Sequence, residues 1–196
     1  MRIFGVILAG GGGRRMGGAD KALLTLNGQS LISRAIERLE PQVERLAISA
    51  NGNPARFAQL GLPVLPDAAA LGPLAGILAA LHWAAPLGAT AVVSAAVDTP
   101  FFPGDLVPHL CLAAETSTNG LSIASSAKDH PTFGHWPVTL APALADFLRS
   151  GANPRVMAFA EAHLCARARF TQEAAFANLN TSDDLTRVAA QLQGLE

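Results

Sequence analysis

From Leu8 to Lys21 the chain reads LAGGGGRRMGGADK, with six glycines, two adjacent arginines and a lysine. Glycines let main-chain N–H groups converge and tolerate positive φ. Converging amides form an anion-binding concavity, which Arg14, Arg15 and Lys21 deepen with full charge. The chemistry that fits is phosphate binding; a basic, solvated turn is the alternative. Position favours phosphate, because the loop follows the apolar run IFGVI, and a strand–glycine loop–helix order is where open α/β sheets take ligands. Two familiar phosphate loops are excluded by spacing. The Walker pattern needs Gly before Lys and Ser or Thr after it, whereas Lys21 stands between Asp20 and Ala22. The dinucleotide fingerprint G-x-G-x-x-G fails because Arg15 or Met16 falls where its third glycine belongs.

Further polar residues end apolar runs: Asn51 closes RLAISAN, Asp67 closes LPVLPD and Asp98 closes ATAVVSAAVD. A lone carboxylate at the rim of a core is costly unless a cation compensates it. Mg²⁺, which takes one or two carboxylates plus phosphate oxygens, would compensate Asp98; a turn or capping role is the alternative. Asp67 precedes a second glycine-bearing loop, AAALGPLAG. Asn51 carries a donor and an acceptor on one amide, suited to a base or a ribose. Lys21, in a glycine loop, is expected to face solvent. His82 and His109 sit in apolar helical patterns and read as packing residues, while His130 and His135 in KDHPTFGHWP lack the companions of a zinc set. No serine lies in a G-x-S-x-G elbow, and neither cysteine has an electropositive local setting, so covalent catalysis has no candidate.

Positioning these residues requires a sheet. Strand-like runs are RIFGVILA, RLAISAN, LPVLPD, ATAVVSAAVD, GLSIASS and LCARARF, with a weaker one near TFGHWPV. Between them, Ile32, Ala35, Ile36 and Leu39 carry helical spacing, as do Leu74, Ile77, Leu78 and Leu81. Leu185, Val188, Ala189 and Leu192 repeat it behind a cap at Thr181. The alternation predicts an α/β fold of three layers, a mainly parallel sheet with helices on both faces. The length suits one domain over residues 1–196, with 50% hydrophobic and 15% charged residues excluding disorder. A net charge of −1 offers no diffuse basic field for nucleic acid or anionic lipid. Cys111 and Cys165 form no Cys-x-x-Cys pair, which fits a reducing cytoplasm. The start MRIFGVILA mimics a signal peptide but leads into the glycine loop, and no run reaches the roughly 20 apolar residues of a membrane span.

The stretch LAGGGGRRMGGADKALLTLNGQSLISR resembles the signature of the molybdenum cofactor guanylyltransferase family. The likeness continues in order through PQVERLAISAN, GPLAG, DTPFFPGDL, DHPTF, RVMAF and NLNTSDDL. It implies a nucleotide-diphospho-sugar-transferase-like (Rossmann-like) fold and transfer of GMP from GTP to the terminal phosphate of molybdopterin. It also implies Mg²⁺ as cofactor, and recipient molybdoenzymes or their chaperones as partners for the product. Matched by position, Leu8, Ala9, Gly10 and Gly11 would approach the guanine nucleotide and Lys21 its phosphates. Asn51 and Asp67 would complete nucleotide recognition, and Asp98 would hold Mg²⁺. Asn178 and Asn180, with Arg155 and His130 less securely matched, fall on the molybdopterin side. Arg15, Lys21 and Asp98 form the expected catalytic set. Ala96 and Val97 replace a frequent proline-cysteine pair, and Ser182 replaces a usual proline. The rival readings are a molybdopterin cytidylyltransferase, a sugar-phosphate nucleotidyltransferase and a non-catalytic nucleotide-binding module. The L-A-G-G start favours guanine by resemblance, since cytidylyl relatives tend to show L-A-A-G.

Overall fold

The computed structural model describes residues 1–10, 20–67, 71–151, 153–180 and 184. Strand β1 (Ile3–Leu8) leads toward a short hairpin, β2 (Thr25–Leu26) and β3 (Gln29–Ser30), then helix α1 (Leu31–Leu39). Next come β4 (Arg45–Ser49), β5 (Val64–Leu65), α2 (Pro73–Ala84), β6 (Ala91–Ala96) and α3 (Leu106–Ala114). The chain continues through β7 (Ser122–Ser125), β8 (Asp129–Pro137), α4 (Ala141–Arg149), α5 (Val156–Ala162) and β9 (Ala166–Arg169). Among the described residues, one sheet of seven strands has the order β5-β4-β1-β6-β8-β7-β9. Its pairs are parallel except where β8 runs against β6 and β7.

The period-2 geometry of a strand sends alternate side chains to opposite faces. On β1, Ile3 and Ile7 enter a core with Leu31, Ile32 and Ala35 of α1 and Leu106 and Leu110 of α3. Phe4 and Val6 enter the opposite core with α2, α4 and α5, through Leu74, Ile77, Leu144 and Phe159. The three-layer, mainly parallel arrangement read from the sequence is the one observed.

Local chemistry sets the elements that flank the site. The hairpin turns at Asn27 and Gly28, both at positive φ (49° and 77°), as an Asn-Gly turn requires. Helix α1 begins where the Ser30 hydroxyl accepts from the Ser33 N–H at 3.2 Å. Helix α2 lies unusually close to the sheet because Gly76 faces Ser49: a Cβ there would stand 2.4 Å from the Ser49 Oγ. In the core, Trp136 Nε1 donates to Ser94 Oγ at 2.9 Å, and that hydroxyl donates to the Thr132 carbonyl at 2.8 Å.

The weak run TFGHWPV is a nine-residue strand, Asp129–Pro137, and it is the reversed one. The expected terminal helix from Leu185 to Leu192 and its cap at Thr181 lie outside the described residues, as do Gly11, Arg14, Arg15 and Ser182.

Candidate active site at the carboxyl edge of the sheet

Four parallel strands, β5, β4, β1 and β6, end on one edge of the sheet. Main-chain bonds carry their alignment one residue further: Ala9 N–H donates to the Ser49 carbonyl (2.8 Å), Ala50 to Leu65 (3.1 Å) and Val97 to Leu8 (3.2 Å). Leu8, Ala9 and Gly10 are therefore held between the ends of β4 and β6. The strand-end positions of Asn51, Asp67 and Asp98 share that edge. Because β8 is antiparallel, its first residues, including His130, start there too.

On one side Asn51 and Asp67 clasp each other. The Asn51 Nδ2 donates to Asp67 Oδ1, and the Asp67 N–H donates to Asn51 Oδ1 at 3.2 Å. Gly10 packs against this pair, close enough that a Cβ would lie 3.5 Å from Asp67 Oδ2. The sequence suits the Asn51 amide to a base or a ribose, and the structure pairs it with Asp67. Each end makes one hydrogen bond to Asp67, which orients that carboxylate and leaves a second N–H and a second lone pair on the amide.

On the other side stands a charge centre. Lys21 Nζ lies 2.9 Å from Asp98 Oδ2 and donates to Asn180 Oδ1 at 2.6 Å. The two side chains of the ion pair are only 15% and 27% exposed. The expectation of a solvent-facing lysine is thereby corrected: Lys21 opens a short 3₁₀ turn, Lys21–Leu23, capped by Asp20, which folds its side chain onto the end of β6. The lone carboxylate inferred at Asp98 is compensated within the chain by that lysine. Among the described residues the other side-chain contact of Asp98, from Thr99 Oγ1 to Oδ1, is long at 3.4 Å.

Asn178 and Asn180 flank Leu179, which is buried at 1% exposure and whose N–H donates to the Asp98 carbonyl at 2.7 Å. Both asparagines are exposed, as alternation along an extended segment demands. Thr99 Oγ1 donates to Asn178 Oδ1 at 2.7 Å, and Asp184 Oδ2 accepts from the Asn180 N–H at 3.0 Å. The structure thus brings Lys21, Asp98, Asn178 and Asn180 together. Arg155 is not brought into this cluster. It stands exposed at the start of α5, whose buried face packs into the α2 layer, and among the described residues no hydrogen bond or ion pair joins it to the charge centre. Arg15 and Gly11 lie outside the described residues.

His130 is buried and stacks on Phe176 with centroids 4.3 Å apart. Its Nε2 is 2.6 Å from Ser126 Oγ, which in turn donates to the Glu173 carboxylate. A hydroxyl that donates to the carboxylate must accept from the ring, so Nε2 carries the proton. Burial pushes the His130 pKa down from its ordinary value, against the opposing pull of Glu173.

Arg56 lies in the turn after β4 and was missed by sequence reasoning. Its Nε approaches Asp20 Oδ2 at 2.7 Å as an ion pair without hydrogen-bond alignment, and its guanidinium sits over the Phe57 ring. It thereby ties the residue preceding Lys21 to the segment following Asn51. The available signal was its position in NGNPAR, directly after a strand end. Thr99 was also passed over, although it sits between Asp98 and Pro100 and is fully buried.

The edge can do one kind of chemistry well. It offers a carboxylate beside a lysine at a glycine loop, with an orienting clasp on one flank and amides on the other. Among the described residues no group of three His, Cys, Asp or Glu side chains gathers to cage a metal. At Asp98 one carboxylate oxygen is paired to Lys21 and the other has, among the described residues, only a long contact, so the group could supply one oxygen ligand to a divalent ion.

The MobA-like NTP transferase domain model matches residues 5–167. The molybdenum cofactor guanylyltransferase of Cereibacter sphaeroides is 57% identical over 194 residues, covering 98% of each chain. That of Mesorhizobium japonicum is 48% identical over 202 residues, 98% of this chain and 97% of its own. The crystal structure of molybdopterin-guanine dinucleotide biosynthesis protein A from Archaeoglobus fulgidus matches with a TM-score of 0.75 at 23% identity, over 98% and 100% of the two chains, and shares the fold. With that match the sheet is that of a nucleotide-diphospho-sugar-transferase-like fold. The chain belongs to the molybdenum cofactor guanylyltransferase family.

Proposed function

We propose that this protein transfers GMP from GTP to the terminal phosphate of molybdopterin, giving the guanine dinucleotide form of the cofactor and pyrophosphate. Family membership supports the reaction type, and the observation that carries the site is the Lys21–Asp98 pair bonded to Asn180 at the carboxyl edge of the sheet. In the transfer, an oxygen of the molybdopterin phosphate attacks the α-phosphorus of GTP in line, and the α–β bridging oxygen leaves with pyrophosphate. That nucleophile is already anionic, so no general base is required, which agrees with a site that presents charge rather than a titrating histidine.

The chain's own residues bind and neutralise. Lys21 faces the phosphates with its ammonium, and Arg15 of the glycine loop adds a second cation. Asp67, oriented by Asn51, accepts from the N1–H and N2–H₂ edge of guanine, an edge that cytosine does not present. Leu8, Ala9, Gly10 and Gly11 line the approach to the nucleotide. Asn178 and Asn180, with His130 further along the edge, face the acceptor. Asp98 is the residue that would hold Mg²⁺, which when bound neutralises the phosphate oxygens and the developing charge on pyrophosphate.

Among the described residues no helix is long and apolar enough to cross a membrane. A cytoplasmic setting, with the product passed to molybdoenzymes or their chaperones, completes the reading, and the free thiols of Cys111 and Cys165 are in keeping with it. The test is pyrophosphate release with each of GTP, CTP, ATP and UTP, with and without molybdopterin and with and without Mg²⁺. Release confined to GTP, molybdopterin and Mg²⁺ together is expected. Equal release with CTP overturns the guanine assignment, release without molybdopterin overturns the acceptor, and release without Mg²⁺ overturns the metal role.

A further inference from the structure

We infer that Thr99 is a positioning residue for the acceptor: its buried hydroxyl fixes the amide of Asn178 so that the amide presents N–H donors to the incoming phosphate. The inference rests on the reading of this edge as the transfer site and concerns a residue that touches neither substrate.

Asn178 is exposed and would by itself turn freely about its last torsion, offering either a carbonyl oxygen or an amino group to the ligand. The two faces have opposite consequences. A carbonyl oxygen turned toward an anionic phosphate repels it, whereas an N–H₂ group binds it. Thr99 is 0% exposed, and its hydroxyl has one proton to give. Asn178 Oδ1 lies at 2.7 Å and Asp98 Oδ1 at 3.4 Å, so the proton goes to Asn178. With Oδ1 held against Thr99, Nδ2 is turned away from the protein interior. The threonine backbone is itself fixed, since its N–H donates to the Ala96 carbonyl at 3.3 Å across the turn that ends β6. The neighbouring Leu179 N–H bonds the Asp98 carbonyl, so Asn178 cannot slide to another register. One strand end thus sets both the carboxylate on the nucleotide side and the amide on the acceptor side.

The experiment uses Thr99→Val, which keeps the shape and removes the hydroxyl, and Thr99→Ser, which keeps it. Guanylyl transfer is measured at varied molybdopterin and saturating GTP·Mg²⁺, and GTP affinity is measured separately by calorimetry. Thr99→Val is expected to raise KM for molybdopterin about tenfold, the loss of roughly one oriented hydrogen bond to a charged group. Its GTP affinity should stay within about twofold of the parent, a tolerance set by the ordinary scatter of such effects. Thr99→Ser should restore KM. Thr99→Val and Asn178→Ala should be non-additive in KM, because both remove the same donor. An unchanged KM in Thr99→Val, an equal loss of GTP affinity, failure of serine to rescue, or full additivity with Asn178→Ala each overturns the inference. Should valine disturb folding, Asn178→Asp decides: it keeps an acceptor for Thr99 but has no N–H to offer, so it must raise KM at least as far as Asn178→Ala, and a smaller rise overturns the inference. Absence of transfer in the parent enzyme would instead overturn the functional reading, a result separate from any of these.

Discussion

Asp98→Asn separates a structural carboxylate from a functional one. Asp98 Oδ2 and Lys21 Nζ stand 2.9 Å apart on side chains 27% and 15% exposed. At an effective dielectric constant of about 20 the gross attraction at such a distance is about 6 kcal/mol. Removing two charged groups from most of their water consumes the larger part of that, as for other partly buried pairs. Asparagine keeps the size and an acceptor oxygen, and Lys21 keeps Asn180 as a partner at 2.6 Å. The net loss is therefore about 1 kcal/mol, which for a chain of 196 residues lowers the thermal midpoint by about 2–4 °C. A lone, uncompensated carboxylate would have given the opposite sign, with asparagine stabilising. Activity should fall far more, on the order of 10²–10³-fold in kcat/KM, because the charge that would hold Mg²⁺ against the phosphates is gone. The assay pairs thermal scans with transfer rates. GTP alone and GTP with Mg²⁺ are compared in the scans, since a ligand that binds only the native state raises the midpoint in proportion to its affinity. The parent should gain an Mg²⁺-dependent increment that the variant lacks. A raised midpoint in the variant refutes the Lys21 pairing, and retained Mg²⁺-dependent activity refutes the metal role.

Lys21→Ala should slow transfer by about 10²-fold or more and also destabilise by about 1–2 kcal/mol, since it removes the partner of both Asp98 and Asn180; Lys21→Arg should restore stability better than rate, because a planar fork replaces a compact ammonium. Initial rates and thermal midpoints check both variants, and a near-normal rate in either refutes the role. Gly76→Ala should cost about 1–3 kcal/mol in thermal or denaturant unfolding, because its Cβ would meet Ser49 Oγ at 2.4 Å where helix and sheet cannot part; an unchanged midpoint refutes the close approach. His135 donates from Nδ1 to the Gly120 carbonyl at 2.8 Å and leaves Nε2 buried with no partner among the described residues, and burial lowers its pKa below the usual 6.5. Its neutral form therefore contributes stability that is fully present above about pH 6.5 and is lost as pH falls through the lowered folded value. Between pH 7 and pH 5 the parent's midpoint should drop further than that of His135→Asn, and equal drops would refute it.

The strands that carry the site were legible because each is an apolar run that stops on a polar residue. RLAISAN and ATAVVSAAVD end at Asn51 and Asp98, and the structure puts both at one edge. Strand β8 was faint because Pro131, Gly134 and Pro137 interrupt its alternation, and only its antiparallel partners reveal it as sheet. The Asn27-Gly28 pair carries a hairpin signal in its letters, and positive φ at both residues makes it a turn. What no local pattern can reveal is partnership at a distance. Lys21 is 77 residues from Asp98 and 159 from Asn180, and contacts at such separations leave no local trace, so a glycine-loop lysine reads as solvent-facing from the letters alone. The same holds for Asn51, whose amide is suited to a base in isolation but is engaged by Asp67, 16 residues on.

If Lys21 meets the phosphates as proposed, its surroundings let one side chain serve a two-substrate reaction. An ammonium has three protons. Among the described residues Asp98 takes one and Asn180 a second, and on the proposed reading the third would serve a phosphate oxygen. On that reading nucleotide binding need not break the pair, and the cation would already be paired and oriented when the phosphates arrive. Electrostatic catalysis gains most from charges that do not have to reorganise during reaction. The backbone makes the same junction independently, since Leu179 bonds the carbonyl of Asp98 while Thr99 holds Asn178. A displacement of the nucleotide-side strand end would consequently carry the acceptor-side amides with it. In-line transfer between two anions demands that their separation be held, and on the proposed reading the two binding flanks share one strand end.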